Sequence, residues 1–226
     1  MNTIQFKSSL TSEELANYVA RQLNAFYPDN QLVAVGDVRC VMEHTLVRVK
    51  ACFSRIHRKY YCDGTQATFN HLHSDHYAMF LYLLSNTAWK LAGNEMLAAK
   101  IFLLNKALHG LDVYYGIELP EVFLFIHPVG TVLGNARYGN YLTVYQNCGI
   151  GSLTESGDYP TLGEGVILFA RSCLLGACHI GDDVVVGANA FLVTTDIPAH
   201  SVVVGQYPNH RILHNADLVR NRIFHS

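Results

Sequence analysis

Two histidines, an aspartate and a third histidine fall within six residues, at His71, His73, Asp75 and His76. Imidazole nitrogens and a carboxylate are donors that zinc accepts, and a zinc ion so held can turn bound water into a nucleophile at neutral pH. One chemistry open to this cluster is therefore zinc-dependent hydrolysis. Asp75, with His73 or His76, could instead line a pocket for a polar acceptor, and Ser74 or Asp75 could simply cap a following helix. Of the chain's twelve histidines, only His127 and His179 lie well inside the repeat that fills its second half. A zinc site built on rungs of that repeat would want a third histidine, which the repeat does not supply.

The repeat sets how any of these groups is held. Leu162, Leu168, Leu174, Ile180, Val186 and Leu192 stand six residues apart, and all are aliphatic. Two residues before each of the last five comes a residue smaller than leucine: Val166, Ser172, Cys178, Val184 and Ala190. An earlier run, Ile126, Val132, Tyr138, Val144 and Ile150, keeps the same phase. A period of six fits neither the 3.6 of a helix nor the 2 of a flat strand. It fits a chain that turns a corner every six residues and points one aliphatic side chain inward per side. Three sides make a coil, and stacked coils share one core, which is a triangular β-helix. Between Ile150 and Leu162 the rung is replaced by a polar, turn-rich excursion over 153–160. Such loops are where solenoids carry function.

Ahead of the ladder the texture is helical. Thr11-Ser12-Glu13-Glu14 reads as a capping box, followed by Leu15, Val19, Leu23 and Phe26 at helical spacing. A second helix is expected over about 38–56, although its valines also suit a strand. A third should start at Ser74-Asp75, and a fourth should run from Met96 to His109 and end at Gly110. This predicts a helical N-terminal domain at 1–113 and a β-helix at 114–226, with a short closing helix after Asp217. The net charge of −2 argues against nucleic acid as the main partner. Apolar stretches are too short to span a bilayer, and 1–10 lacks a secretory pattern. Six cysteines show no paired framework, and Cys148 and Cys178 fall on small inward positions. The expected location is cytoplasmic, with reduced thiols.

With the ladder and helices in view, four stretches acquire meaning: Ile117-Glu118-Leu119-Pro120, Phe125-Ile126-His127-Pro128, Gly157-Asp158-Tyr159-Pro160 and Gly205-Gln206-Tyr207-Pro208-Asn209-His210-Arg211-Ile212. Together they resemble the serine O-acetyltransferase branch of the left-handed β-helix acyltransferases. That resemblance implies a left-handed parallel β-helix behind the helical domain. It also implies a homotrimer, or a dimer of such trimers, with sites between neighbouring prisms and acetyl-CoA as donor rather than a metal cofactor. It matches His127 to the family's catalytic histidine and Glu118 to the carboxylate that orients it. The segment between them is about one hexapeptide shorter than the family pattern. Where the serine enzymes carry Arg-His, this chain has Asp158-Tyr159, and an aspartate there would repel an acceptor carboxylate.

These matches lead to a concrete expectation. His127 acts as general base on an acceptor hydroxyl, which then attacks acetyl-CoA directly. Asp75, His73, His76, Asp158 and Tyr159 are candidates for the acceptor side. Ala170, Arg171, Gly187, Ala188 and Arg211 are candidates for coenzyme A, the small residues by admitting the pantetheine arm and the arginines by meeting phosphate. Because of Asp158-Tyr159, the leading acceptor is a small molecule or sugar hydroxyl, and free serine is the alternative. The His71–His76 spacing also resembles the signature of metallo-β-lactamase-type zinc hydrolases. Their fold wants a strand before the motif and a glycine-rich turn after it, whereas here a helical pattern follows at once.

Overall fold

A computed structural model of the chain describes residues 4–154 and 157–224. The middle of the expected excursion, 155–156, lies outside the described residues. The first strand, β1 (Gln5–Ser8), leads to helices α1 (Ser12–Phe26) and α2 (Val35–Phe53), strand β2 (Gln66–Phe69), and helices α3 (Ser74–Ala92) and α4 (Glu95–His109). The Thr11 hydroxyl accepts from the Glu14 amide, and the Glu14 carboxylate accepts from the Thr11 amide, as the capping box requires. Asn94 caps α4, and left-handed Gly93 and Gly110 end α3 and α4. The valine-rich second segment is a helix, because Val38, Val41, Met42 and Val49 fall on one buried face. Helix α3 is buried from Asp75 to Ala88, packed among α2, α4 and the start of the solenoid. The parallel pairing of β1 with β2 was not expected from these polar segments.

From Asp112 the chain winds through β3 (Asp112–Val113), β4 (Phe123–Phe125), β5 (Val132–Leu133), β6 (Arg137–Tyr138), β7 (Leu142–Val144), β8 (Gly149–Gly151), β9 (Thr161–Leu162), β10 (Ile167–Leu168), β11 (Cys173–Leu175), β12 (His179–Ile180), β13 (Val185–Val186), β14 (Phe191–Val193), β15 (Asp196–Ile197) and β16 (Ser201–Val204). Then come the antiparallel β17 (Arg211–His214) and α5 (Val219–Ile223). The strands form three parallel sheets: β4-β7-β10-β13-β16, β3-β5-β8-β11-β14 and β6-β9-β12-β15. This is a left-handed parallel β-helix preceded by helices. Register places Leu168 beside Val186 and Leu174 beside Leu192, one eighteen-residue coil apart. The six late ladder residues and the five small residues before them are all buried.

The early ladder needs correction. Val132 is 49% exposed, while Leu133 points inward and pairs with Ile150; Phe125, not Ile126, pairs with Val144. The coil from Phe125 to Val144 is nineteen residues and that from Leu133 to Ile150 seventeen, so a strict count of six run backwards from Val144 slips by one. A similar slip after Leu192 puts Ile197 inward. Among the described residues no helix is long and apolar enough to cross a membrane. All six cysteines are free thiols.

Candidate active site

Every corner of a solenoid must reverse the chain, and here many do so through left-handed residues stacked coil on coil. Asn147, Arg171 and Asn189 form one such column, and the Asn147, Arg171 and Asn189 amides each donate to a carbonyl of the preceding coil. His127 is also left-handed, with φ 49°, but it stands outside the columns. The Phe125–Val144 register sets Gln146 over His127, and Gln146 is not left-handed. A non-glycine residue held this way costs on the order of 1 kcal/mol or more and needs support from its surroundings. The support comes from Asp75, whose Oδ1 accepts from the His127 amide at 3.2 Å and lies 3.8 Å from the ring Nδ1.

Asp75 reaches His127 because α3 is bound to the chain entering the solenoid. The buried Tyr82 hydroxyl donates to the Ile117 carbonyl at 2.7 Å and accepts from the Leu119 amide at 2.9 Å. Asn86 donates to the Tyr115 carbonyl at 2.8 Å. With α3 fixed along this segment, its first turn overhangs the β4 corner. The Asp75 carboxylate is almost fully buried, whereas the His127 side chain is 75% exposed and open to solvent. Glu118, expected to orient His127, lies elsewhere: its carboxylate holds Lys90 at 2.5 Å, near the far end of α3. At 1.5 Å per residue, about 22 Å of helix separate Asp75 from Lys90. Glu118 and His127 are nine positions apart, half of an eighteen-residue coil, so the chain between them does not bring Glu118 back over the histidine.

Asp75 and His127 sit in a cleft of about 340 Å³, with Ile126, His73, Tyr61, Tyr60, Arg58 and Lys59 as its other walls. Of the acceptor candidates, the structure thus gathers Asp75 and His73 at His127. His76 lies behind them, packed against Phe53, Tyr61 and Phe69 and stacked on His73 at 4.1 Å. Its Nδ1 accepts from the Asn70 amide. Arg58, Lys59 and Tyr60 were missed in the sequence; only their place in a cationic and aromatic run, 58–61, signals them. The His71–His76 cluster does not converge as a metal site. The His71 ring bonds Ser9, Asp75 turns to His127, and among the described residues no group of three or more His, Cys, Asp or Glu could hold a metal ion.

Burial pushes the His76 imidazole down to about 3, from an ordinary value of 6.5, with nearby His73 adding to the effect. Between those values the unfolded chain binds a proton that the folded chain refuses, so stability falls as pH falls through this window. Burial also lowers His109, which acts in the same direction. Urea unfolding at pH 4.5, 5.5 and 6.5 is expected to lose stability towards acid, His76 contributing about 1.4 kcal/mol per pH unit. His76→Phe should remove that share; an unchanged slope would contradict the assignment.

One edge of the prism joins this cleft to the donor candidates. His127 follows β4 at that edge, Ala170 and Arg171 follow β10, and Gly187 and Ala188 follow β13. The Asn189 amide donates to the Ala170 carbonyl, so these two corners stack directly. Val204 at the end of β16 lies against Gly187 and pairs with Arg211 of β17. All five donor candidates therefore gather along one edge. At about 4.8 Å per rung they stand roughly 10–19 Å from the His127 corner. A Cβ at Gly187 would come 3.0 Å from the Val203 carbonyl oxygen, so the tight coil packing itself requires this glycine. Asp158 and Tyr159 are exposed on the excursion and do not line the His127 cleft of their own chain.

No family model matches the chain. Among curated proteins, it is 31% identical over 178 residues to a serine acetyltransferase of Mycobacterium tuberculosis, a match covering 75% of this chain and 68% of that protein. It is 31% identical over 147 residues to serine acetyltransferase 2 of Arabidopsis thaliana, covering 64% of this chain and 45% of that one. The chain thus spans about half the length of the Arabidopsis relative. In fold it is similar to the crystal structure of Neisseria gonorrhoeae serine acetyltransferase, with a TM-score of 0.71 and 21% identity over 91% of this chain and 80% of that one. It is similar also to the same organism's enzyme in complex with serine, at TM-score 0.66 and 20% identity over 89% of this chain and 84% of that one.

Proposed function

Because the chain belongs to the serine acetyltransferase family, we propose that it transfers the acetyl group of acetyl-CoA to a hydroxyl of a small acceptor, free serine first, with His127 as general base. The observation that carries this reading is the buried Asp75 carboxylate set against Nδ1 of an exposed histidine at the mouth of a cleft. With Nδ1 facing Asp75, the opposite nitrogen, Nε2, is free to take the acceptor's proton. The alkoxide oxygen then attacks the thioester carbonyl, the C–S bond breaks, and the coenzyme A thiolate leaves and takes the proton back from the imidazolium. Asp75 keeps the ring in the right tautomer and stabilises its charged form. At 3.8 Å the pair is longer than a hydrogen bond, and the mechanism requires it to shorten when substrate is bound.

Acetyl-CoA would lie along the shared prism edge, its thioester at His127 and its phosphates towards Arg171 and Arg211. In a homotrimer, or a pair of trimers, Asp158 and Tyr159 would face a neighbouring copy's cleft. The Asp158-Tyr159 pair on its own favours a sugar acceptor. The relatives' shared name and the charges around His127 favour serine. Thiol release from acetyl-CoA, measured with serine, simple sugars and nucleotide sugars, tests the choice. Serine is expected to give the fastest release. Faster release with a sugar would return the acceptor to the sugar reading, and no release with any acceptor would end the acyltransfer reading.

A further inference from the structure

The His127 cleft holds opposite charges that do not neutralise one another. Asp75 supplies a buried carboxylate, and its Oδ2 accepts no hydrogen bond among the described residues. Arg58 and Lys59 supply two cations to the lining of the same cleft. Lys59 is engaged, its Nζ 5.5 Å above the Tyr60 ring. Arg58 is exposed and forms no ion pair among the described residues. The turn that carries it is firmly held. The Tyr61 and Cys62 amides donate to the Arg58 carbonyl, and the His57 amide reaches the Ile223 carbonyl at 2.6 Å. His73, which also lines the cleft, has its Nδ1 buried with no hydrogen-bond partner among the described residues.

A zwitterionic hydroxy-amino acid meets this pattern point for point: hydroxyl to His127, ammonium to Asp75, carboxylate to Arg58. Building on the acyltransfer reading, we infer that Arg58 is the specificity-determining cation that binds the acceptor's carboxylate, on the cleft's own subunit. A planar guanidinium can grip a carboxylate with two parallel hydrogen bonds, which a lysine cannot. The cation therefore comes from the turn after α2, while the excursion carries Asp158-Tyr159.

The test is calorimetric titration of the full chain and of Arg58→Gln with L-serine, with serinol, which lacks the carboxylate, and with coenzyme A. Wild type should bind serine at least tenfold tighter than serinol. Arg58→Gln should weaken serine by roughly 10- to 100-fold and leave serinol and coenzyme A within twofold. Arg58→Lys should recover part of the loss. Equal losses for serine and serinol, no loss for serine, no serine binding by wild type, or a loss confined to coenzyme A would each overturn the assignment; the last would make Arg58 a phosphate contact. Binding that follows the expected pattern supports the subsite even if wild type releases no thiol from acetyl-CoA. That second result would fail the acyltransfer reading alone, so the two failures are distinguishable.

Discussion

His127→Ala is expected to lower kcat for acetyl transfer by roughly 10²–10⁴, the usual worth of a general base. The KM for acetyl-CoA should stay within a few-fold, because the donor candidates lie roughly 10–19 Å along the prism edge, two to four rungs away. The side chain is mostly exposed, so little packing is lost. The backbone is the complication, since φ at this position is 49°. Asparagine tolerates that region better than alanine, so His127→Asn should keep the corner and still lose the base. Equal, large losses of kcat in both variants, with unchanged melting temperatures, would place the loss in the chemistry. A kcat within a few-fold of wild type in His127→Asn would contradict the role.

Asp75→Asn is the second large effect, with kcat expected to fall roughly 10²-fold or more. The amide oxygen can still accept from the His127 backbone, so the corner should survive. The charge that steadies the imidazolium is lost, and the carboxamide can offer its N–H to the ring and impose the wrong tautomer. Affinity for serine should fall as well, because the carboxylate facing the ammonium is gone. Glu118→Gln is the control. Its partner Lys90 is exposed, and such pairs contribute about 0–1 kcal/mol. Activity should therefore stay within twofold. If Glu118→Gln were the crippled variant and Asp75→Asn the active one, the orienting carboxylate would be Glu118, as the sequence alone suggests.

The β-helix was legible because its core repeats. Leu162 through Leu192 must all point inward at a period of six, which neither a helix nor a flat strand can satisfy. The helices were legible from Thr11-Glu14 and Gly110, whose backbone demands are local. Legibility failed where pairing is set by distant partners. Val132 and Leu133 differ by one position, and only the register against Ile150 decides which faces inward. The strand pair β1 and β2 joins four-residue segments some sixty residues apart, too short for the alternation of Ala67 and Phe69 to announce it. The site shows the same limit. His127 was found from its local motif, but its carboxylate comes from 52 residues earlier, through the packing of a buried helix. Arg58 arrives from farther still. The spacing of Glu118 from His127 already hinted that the local carboxylate could not serve, because the segment between them is about one hexapeptide shorter than the pattern it resembles.

In the proposed reaction the prism sets an imidazole and a buried carboxylate to acylate an alcohol from a bound thioester. The most direct test is mass spectrometric identification of the product formed from acetyl-CoA and isotopically labelled serine by the purified protein. The expected result is one O-acetylserine for each coenzyme A thiol released, formed at least ~10²-fold more slowly in His127→Asn. Thiol released without acetylated serine, an acetyl group found on the amine, or product formed by His127→Asn within a few-fold of the wild-type rate would contradict it.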